Sequence, residues 1–288
     1  MRQCPIVIGG IGGSGTRVVA DILRTFHVFI GNDLNTPLDN LSYTFLFKRP
    51  KWYHQNFENK KKMVTALSIL EKSMINTNSY SISEIAFLVS AIISMSINGH
   101  NSEKKGKGRW AFDRFCHILF HRQKERSSYS AWGWKEPNSH LIINHLNNYF
   151  PNLKYIYTLR DGLDMAFSDN QQQLYNWGEM FGIKMPASKE KLPQASFSYW
   201  VAVNKNILAL QKEIGAHKLH ILNFDQLCIH PESEIQKLIK FIGIDITENQ
   251  LQEAISLPVV PASKGRHKNY SISDFKPDDM EFLRSLGF

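Results

Sequence analysis

One stretch near the amino terminus limits the folds open to this chain. Ile6-Val7-Ile8 is a short apolar run that ends in Gly9-Gly10-Ile11-Gly12-Gly13-Ser14-Gly15, and Thr16-Arg17 then opens an amphipathic segment. Val18, Val19, Ile22, Leu23 and Phe26 share one face at helical spacing, with Arg17, Asp21 and Arg24 on another. The pattern reads as strand, tight loop, helix. Glycines let a backbone approach a ligand closely, and free N–H groups at a helix start favour an anion. A phosphate-type group is expected here.

The remaining pattern supplies a sheet around that loop. His27–Ile30 reads as a second short strand ending at Gly31-Asn32-Asp33. Ala131–Trp134, Leu153–Leu159 and Leu219–Phe224 are further strands, rich in aromatic or β-branched residues. Helices are expected after Ser139, after Arg160-Asp161-Gly162, over Phe197–Ile214, from Pro231 to Phe241, over Thr247–Ser256 and over Pro277–Leu286. Asn176–Pro193 and Pro258–Lys276 read as loops. Strands alternating with helices predict an α/β fold: a central parallel sheet with helices on both faces. Between about residues 35 and 130 no clear strand is visible. Met63–Asn76, Ser83–Ile97 and Trp110–Gln123 have helical spacing, with loops at Asn98–Asn101 and Lys104–Gly108. This segment reads as a helical insertion within a single domain spanning residues 1–288.

Composition narrows the functional classes. The chain is 43% hydrophobic and 21% charged, as a globular protein is, and carries a net charge of +8. That charge suits an anionic partner, but the basic residues are spread along the chain, which argues against nucleic acid. Lys60-Lys61-Lys62 reads as a solvated helix start. Three cysteines, Cys4, Cys116 and Cys228, form no paired motif and point to a reducing compartment. Met1-Arg2-Gln3 leads straight into the first strand without a signal sequence, so a cytoplasmic location is expected. Ile85–Ile97 is too short to span a bilayer and reads as a buried helix.

Three readings compete for the glycine loop. Gly10-x-Gly12-x-x-Gly15, with Asp33 downstream, fits the dinucleotide fingerprint of an NAD-dependent oxidoreductase, yet prompt β-α-β alternation does not follow. Gly10-x-x-x-x-Gly15 is half of a Walker pattern, as in a small-molecule kinase, but Thr16-Arg17 replaces the Lys-Ser/Thr pair. In the third reading, Ser14-Gly15-Thr16 after a strand resembles the 5′-phosphosulfate loop of sulfotransferases that use 3′-phosphoadenosine 5′-phosphosulfate (PAPS). Three further stretches share the resemblance. Arg160 at a strand end, with Ser168 eight residues on, is similar to the family's 3′-phosphate motif, and Asp169-Asn170-Gln171-Gln172 follows it. Ser263-Lys264-Gly265-Arg266-His267 resembles the late Lys-Gly-Arg loop of heparan-type members. Ile221–Leu227, followed by Pro231 and Leu238–Gly243, is similar to the family's Tyr-Glu-Asp-Leu strand and the helix after it.

The resemblance implies a P-loop NTPase-like fold and sulfuryl transfer from PAPS, a co-substrate, to a hydroxyl or amine, with no metal. Gly12, Gly13, Ser14, Gly15, Thr16 and Arg17 would hold the 5′-phosphosulfate, Arg160 and Ser168 the 3′-phosphate, and Lys264, Gly265 and Arg266 would close over the nucleotide. Phe224 would meet adenine, or simply pack in a strand. The family's loop cation is missing: Gly13 stands there, so Arg17, Lys135 and Lys264 are expected to share its role. Lys135-Glu136-Pro137 resembles a Lys-x-Pro stretch whose Lys lies near the sulfuryl group. Asp33 ranks ahead of Glu136 as general base, with a turn-capping role for Asp33 as the plainer reading. His117 and His121, beside Cys116, have zinc-compatible spacing but no further ligands at a recognisable distance, so an ordinary helix is expected there. Small-molecule, phenol, carbohydrate, lipid and peptide acceptors all stay open, because specificity is expected to lie in the insertion, which the resemblance does not cover; oligomeric state is open as well. A non-catalytic nucleotide-binding module remains an alternative.

Overall fold

The computed structural model describes residues 5–75, 77, 79–100, 107–121 and 129–288. Cys4, the expected helix ends at Asn76 and Gln123, and residues 101 and 104–106 of the expected loops lie outside them.

Strand β1 (Pro5–Gly10) leads through the glycine loop into helix α1 (Thr16–Thr25), and β2 (Val28–Phe29) follows. The insertion then contributes α2 (Leu41–Phe47), α3 (Pro50–Asn56), α4 (Lys60–Ile75), α5 (Ile82–Asn98) and α6 (Gly108–Phe120). The sheet resumes with β3 (Ala131–Lys135), α7 (Ile143–Tyr149), β4 (Lys154–Leu159), α8 (Gly162–Ala166), α9 (Gln172–Trp177), α10 (Leu192–Ile214) and β5 (Leu219–Asn223). Helices α11 (Phe224–Ile229), α12 (Pro231–Ile242), α13 (Glu248–Ser256) and α14 (Pro277–Ser285) complete the chain.

The sheet order is β2-β3-β1-β4-β5, and every neighbouring pair is parallel. Strand alternation divides the core into two layers. Ile6 and Ile8 of β1 and Ile156 of β4 pack with Val19, Ile22 and Leu23 of α1 and Leu238 of α12. Val7, Trp132, Trp134, Tyr155 and Tyr157 face the other way, onto α10 and the insertion. In parallel sheets the ligand crevice lies beyond the carboxyl ends of the strands. Here those ends lead into the glycine loop, Glu136 and Arg160.

Several local expectations change. Ser139 does not cap a helix. It lies within a 3₁₀ turn over Pro137–Ile142, where Glu136 supplies the cap, and its hydroxyl accepts from Trp134 Nε1 at 3.1 Å. Phe224 is the first residue of α11 rather than part of a strand, because the Asn223 side chain caps that helix through Gln226 N–H. Ser168 falls beyond the end of α8, which stops at Ala166. Residues 172–177 are helical, and α10 begins at Leu192 with Pro193 in its first turn, where a missing N–H costs nothing. The Ile85–Ile97 stretch is buried on one side only. Phe87, Leu88, Ala91 and Met95 of α5 face the core, whereas Val89, Ile93 and Ile97 are exposed.

Candidate active site

The β1–α1 loop is built to leave its tip open. Gly15 occupies the N-cap of α1 at φ 91°, a left-handed conformation natural to glycine, and no side chain caps the helix. A Cβ there would meet the Phe224 ring at 2.2 Å. Gly13 has φ 93°, and nothing lies within 4 Å of where its Cβ would be. The first N–H groups of a helix have no intrahelical carbonyl. Ser14 is buried, its hydroxyl 2.6 Å from Thr158 Oγ1 on β4, and Gly12 N–H donates to Gln173 Oε1 at 3.0 Å. Thr16 is buried and Arg17 exposed.

A cavity of about 710 Å³ opens on this loop. Gly12, Gly13 and residues 15–18 line it, together with Asp39, Lys135, Arg160, Asn170, Phe224 and the apolar segment around Val259–Pro261. Lys135 ends β3 and is buried. Its ammonium donates to Pro37 O at 3.0 Å and forms an ion pair with Asp39 Oδ1. Asp39 is held further by Asn35, whose Nδ2 donates to Oδ2 at 3.0 Å and whose Oδ1 accepts from Asp39 N–H at 2.7 Å. Leu38, in the same turn, adopts φ 66°. Such a conformation is strained for a branched side chain, and it marks a turn held in place for its neighbours' sake.

A second cavity, about 110 Å³, shares Gly12, Asp39, Pro137 and Asn170 with the first and adds Lys48, Glu136 and Asn138. Glu136 is buried, and its carboxylate accepts from Asn138 N at 2.6 Å and Asn138 Nδ2 at 2.8 Å. Burial pushes its carboxyl above the usual range against the pull of Lys48, and the Asp39 charge adds to the push.

Arg160 follows β4. Its Nη1 donates to Gly13 O at 2.9 Å and its Nη2 to Ser263 Oγ at 2.7 Å, while its buried Nε has no hydrogen-bond partner among the described residues. The guanidinium therefore ties the glycine loop to the late basic loop. That loop is fastened from below by Asp164, which accepts from Gly265 N and His267 Nδ1, each at 2.7 Å. Arg266 Nη1 donates to Phe167 O at 3.2 Å, and Lys264 lies 3.7 Å from Asp225. Asp161, Asp164 and His267 are the group of metal-capable side chains brought together among the described residues. His117 and His121 instead stack on each other with ring centroids 4.5 Å apart.

A family model for the sulfotransferase family matches residues 5–248. The chain belongs to the sulfotransferase family. It is similar in fold to the sulfotransferase domain of the Synechococcus PCC 7002 olefin synthase, at TM-score 0.50 and 12% identity, covering 100% of this chain and 96% of that one. It is likewise similar to the sulfotransferase domain from the curacin biosynthetic pathway, at TM-score 0.51 and 13% identity, covering 100% and 99%. No curated relative matches the chain in sequence. The protein is a sulfuryl-transferring enzyme, and the oxidoreductase and kinase readings of the glycine loop fall away. Among the described residues, no helix is long and apolar enough to cross a membrane.

Within this sulfotransferase, Gly12, Gly13, Gly15, Thr16, Arg17, Lys135, Arg160 and Phe224 come together at the larger cavity. Glu136 lines the smaller one. Ser168, Lys264, Gly265 and Arg266 line neither, and Ser168 Oγ accepts from Asn170 N at 3.3 Å. Asp33 also lines neither. It forms an ion pair with Arg114 Nε of α6 at 2.7 Å; burial raises its carboxyl, and Arg114 and His117 oppose that. Two residues at the site escape motif reading. Asp39 lies in a short irregular turn, where its one signal is the polar Asn35-x-Pro37-x-Asp39 run before the Asn40 cap. Ser263, at the start of the late loop, is the hydroxyl beside Arg160.

Proposed function

We propose that this sulfotransferase uses PAPS as donor and transfers its sulfuryl group to a hydroxyl or amine bound in the smaller cavity. The observation that carries the reading is the convergence of an uncapped helix start, an ammonium and a buried guanidinium on one cavity at the carboxyl edge of the sheet. These residues fit such a donor: the loop tip is open at Gly13, and the buried Arg160 Nε lacks a partner among the described residues. PAPS, when bound, supplies the sulfuryl group and a phosphate leaving group.

The chain's own residues divide the work. The α1 N-terminus and Lys135 neutralise charge that develops at the phosphate side of the breaking S–O bond, with Arg17 at the rim standing in for the cation absent at Gly13. Arg160, with Ser263, holds the 3′-phosphate through its planar fork. Val259, Val260 and Phe224 offer an apolar wall for a purine. Asp39 sits where the two cavities meet, so its carboxylate takes the acceptor proton as the new S–O bond (hydroxyl acceptor) or S–N bond (amine acceptor) forms. Glu136, with both oxygens on Asn138, shapes the acceptor side rather than moving the proton. Asp33, paired with Arg114, supports the β2 end.

Transfer of radiolabelled sulfate from PAPS to a panel of hydroxyl and amine acceptors tests this. Label should reach at least one acceptor class and be lost in Lys135→Ala and Asp39→Asn. Full transfer by both variants would refute the assignment. Binding of the product nucleotide with no transfer to any acceptor would favour a non-catalytic module.

A further inference from the structure

Charge and apolar exposure coincide in the insertion. Residues 35–130 hold 15 Lys and Arg against 7 Asp and Glu, which equals the whole net charge of +8; the rest of the chain is balanced at 19 against 19. Helix α5 lies in this basic segment, yet its outer face carries no charge at all. Its one charged residue, Glu84, is buried and bound by Lys72 Nζ at 2.7 Å. Val89, Ile93 and Ile97, spaced four apart, form one stripe, and Ile93 and Ile97 are 56% and 62% exposed. Helix α6 packs alongside, with Lys107 N–H donating to Met95 O at 3.2 Å, and presents Phe112 and Phe120 to solvent.

The cations cluster at one end of this surface. The Lys72–Glu84 pair joins the end of α4 to the start of α5, so the two helices run antiparallel. Exposed Lys60 and Lys61, at the opposite end of α4, therefore lie at the Ile97 end of α5, where Lys107 and Arg109 also open α6. A solvent-facing helix is normally polar on its outer side. An uncharged apolar stripe beside a basic rim has the two ingredients of interfacial membrane binding, one burying area and the other meeting anionic headgroups.

We propose that the α5–α6 face docks on an anionic lipid surface and lies along it rather than through it. A second copy of the chain would cover the stripe but would set two basic insertions against each other, with like charges opposed. Nucleic acid would meet the charge and leave the stripe bare. The proposal is independent of which sulfuryl donor the enzyme uses.

Vesicle flotation of the intact protein tests it. The protein should float with phosphatidylcholine vesicles containing about 30 mol% phosphatidylserine and at least about tenfold less with phosphatidylcholine alone, and added salt should weaken binding. Ile93→Glu/Ile97→Glu should lose at least about tenfold in partitioning. Lys60→Glu/Lys61→Glu, which alters only exposed side chains, should lose several-fold, and the melting temperature of each variant checks folding. No flotation with anionic vesicles would overturn the proposal. So would unchanged flotation of both variants, or a homodimer by light scattering that Ile93→Glu/Ile97→Glu splits into monomers.

Discussion

The sheet edge and the helical insertion solve opposite problems. At the edge, charged groups are drawn inward: Lys135 and Arg160 are nearly buried, and each is held by carbonyl, carboxylate or hydroxyl oxygens. In the insertion, α5 turns an uncharged apolar stripe outward. The first arrangement costs desolvation, which only a bound anion or a fixed partner can offset. The second leaves apolar area in water, which only a covering surface can offset. Asp39 is the point of contact between them, because the insertion's first turn supplies the carboxylate that faces Lys135.

Substitutions at that contact should have the largest effects. Asp39→Asn removes the proposed base and should lower kcat by about 10²–10⁴, while Asp33→Asn, outside both cavities, should change kcat by less than about twofold. Steady-state rates on the two variants separate the carboxylates; the reverse ranking would move the base to Asp33. Lys135→Ala should lower kcat by about 10²–10³, as loss of one charge-stabilising donor does, with a smaller change in nucleotide affinity. Arg160→Ala should weaken adenosine 3′,5′-bisphosphate binding by about 1.5–3 kcal/mol, read by calorimetry. Unchanged affinity would detach the 3′-phosphate from this arginine.

The smallest effect belongs to the insertion and concerns pH. Burial alone would raise the Glu84 carboxyl, but bonds from Lys72, Ser81 and Ser68 outweigh it and hold the group at about 2. A carboxyl depressed on folding stabilises the protein above its unfolded value of 4.5, and that contribution is lost as pH falls toward 2. Glu84→Gln should therefore cost about 1–2 kcal/mol at neutral pH and flatten the acid limb of the melting curve over that window. Identical acid limbs in both proteins would remove Glu84 from the account.

The sheet was legible because parallel strands announce themselves as apolar runs closed by glycine or a charged pair. Ile8-Gly9 marks the end of β1 before the glycine loop, Lys135 is the last residue of β3, and Arg160 is the first residue past β4, so the strand ends locate the candidate site. Helix spacing likewise revealed α4, α5 and α6. It did not reveal which side of α5 meets the core, since an apolar helix has no polar face to orient it. Asp39 stayed hidden for a related reason: it lies in a turn held by Asn35, with Leu38 at positive φ, and no periodicity marks such a position. Ser168 and Ser263 show the limit of motif spacing. Ser168 is eight residues after Arg160, yet the hydroxyl that touches the guanidinium belongs to Ser263, from the loop that Asp164 fastens.

The central claim is that this sheet edge is shaped for a nucleotide with a 3′-phosphate. Calorimetric titration of the wild-type protein with adenosine 3′,5′-bisphosphate and with ATP tests it most directly. The bisphosphate should bind at least about tenfold more tightly than ATP, the difference expected from one charge-assisted phosphate contact. Equal affinities, or binding of ATP alone, would contradict it.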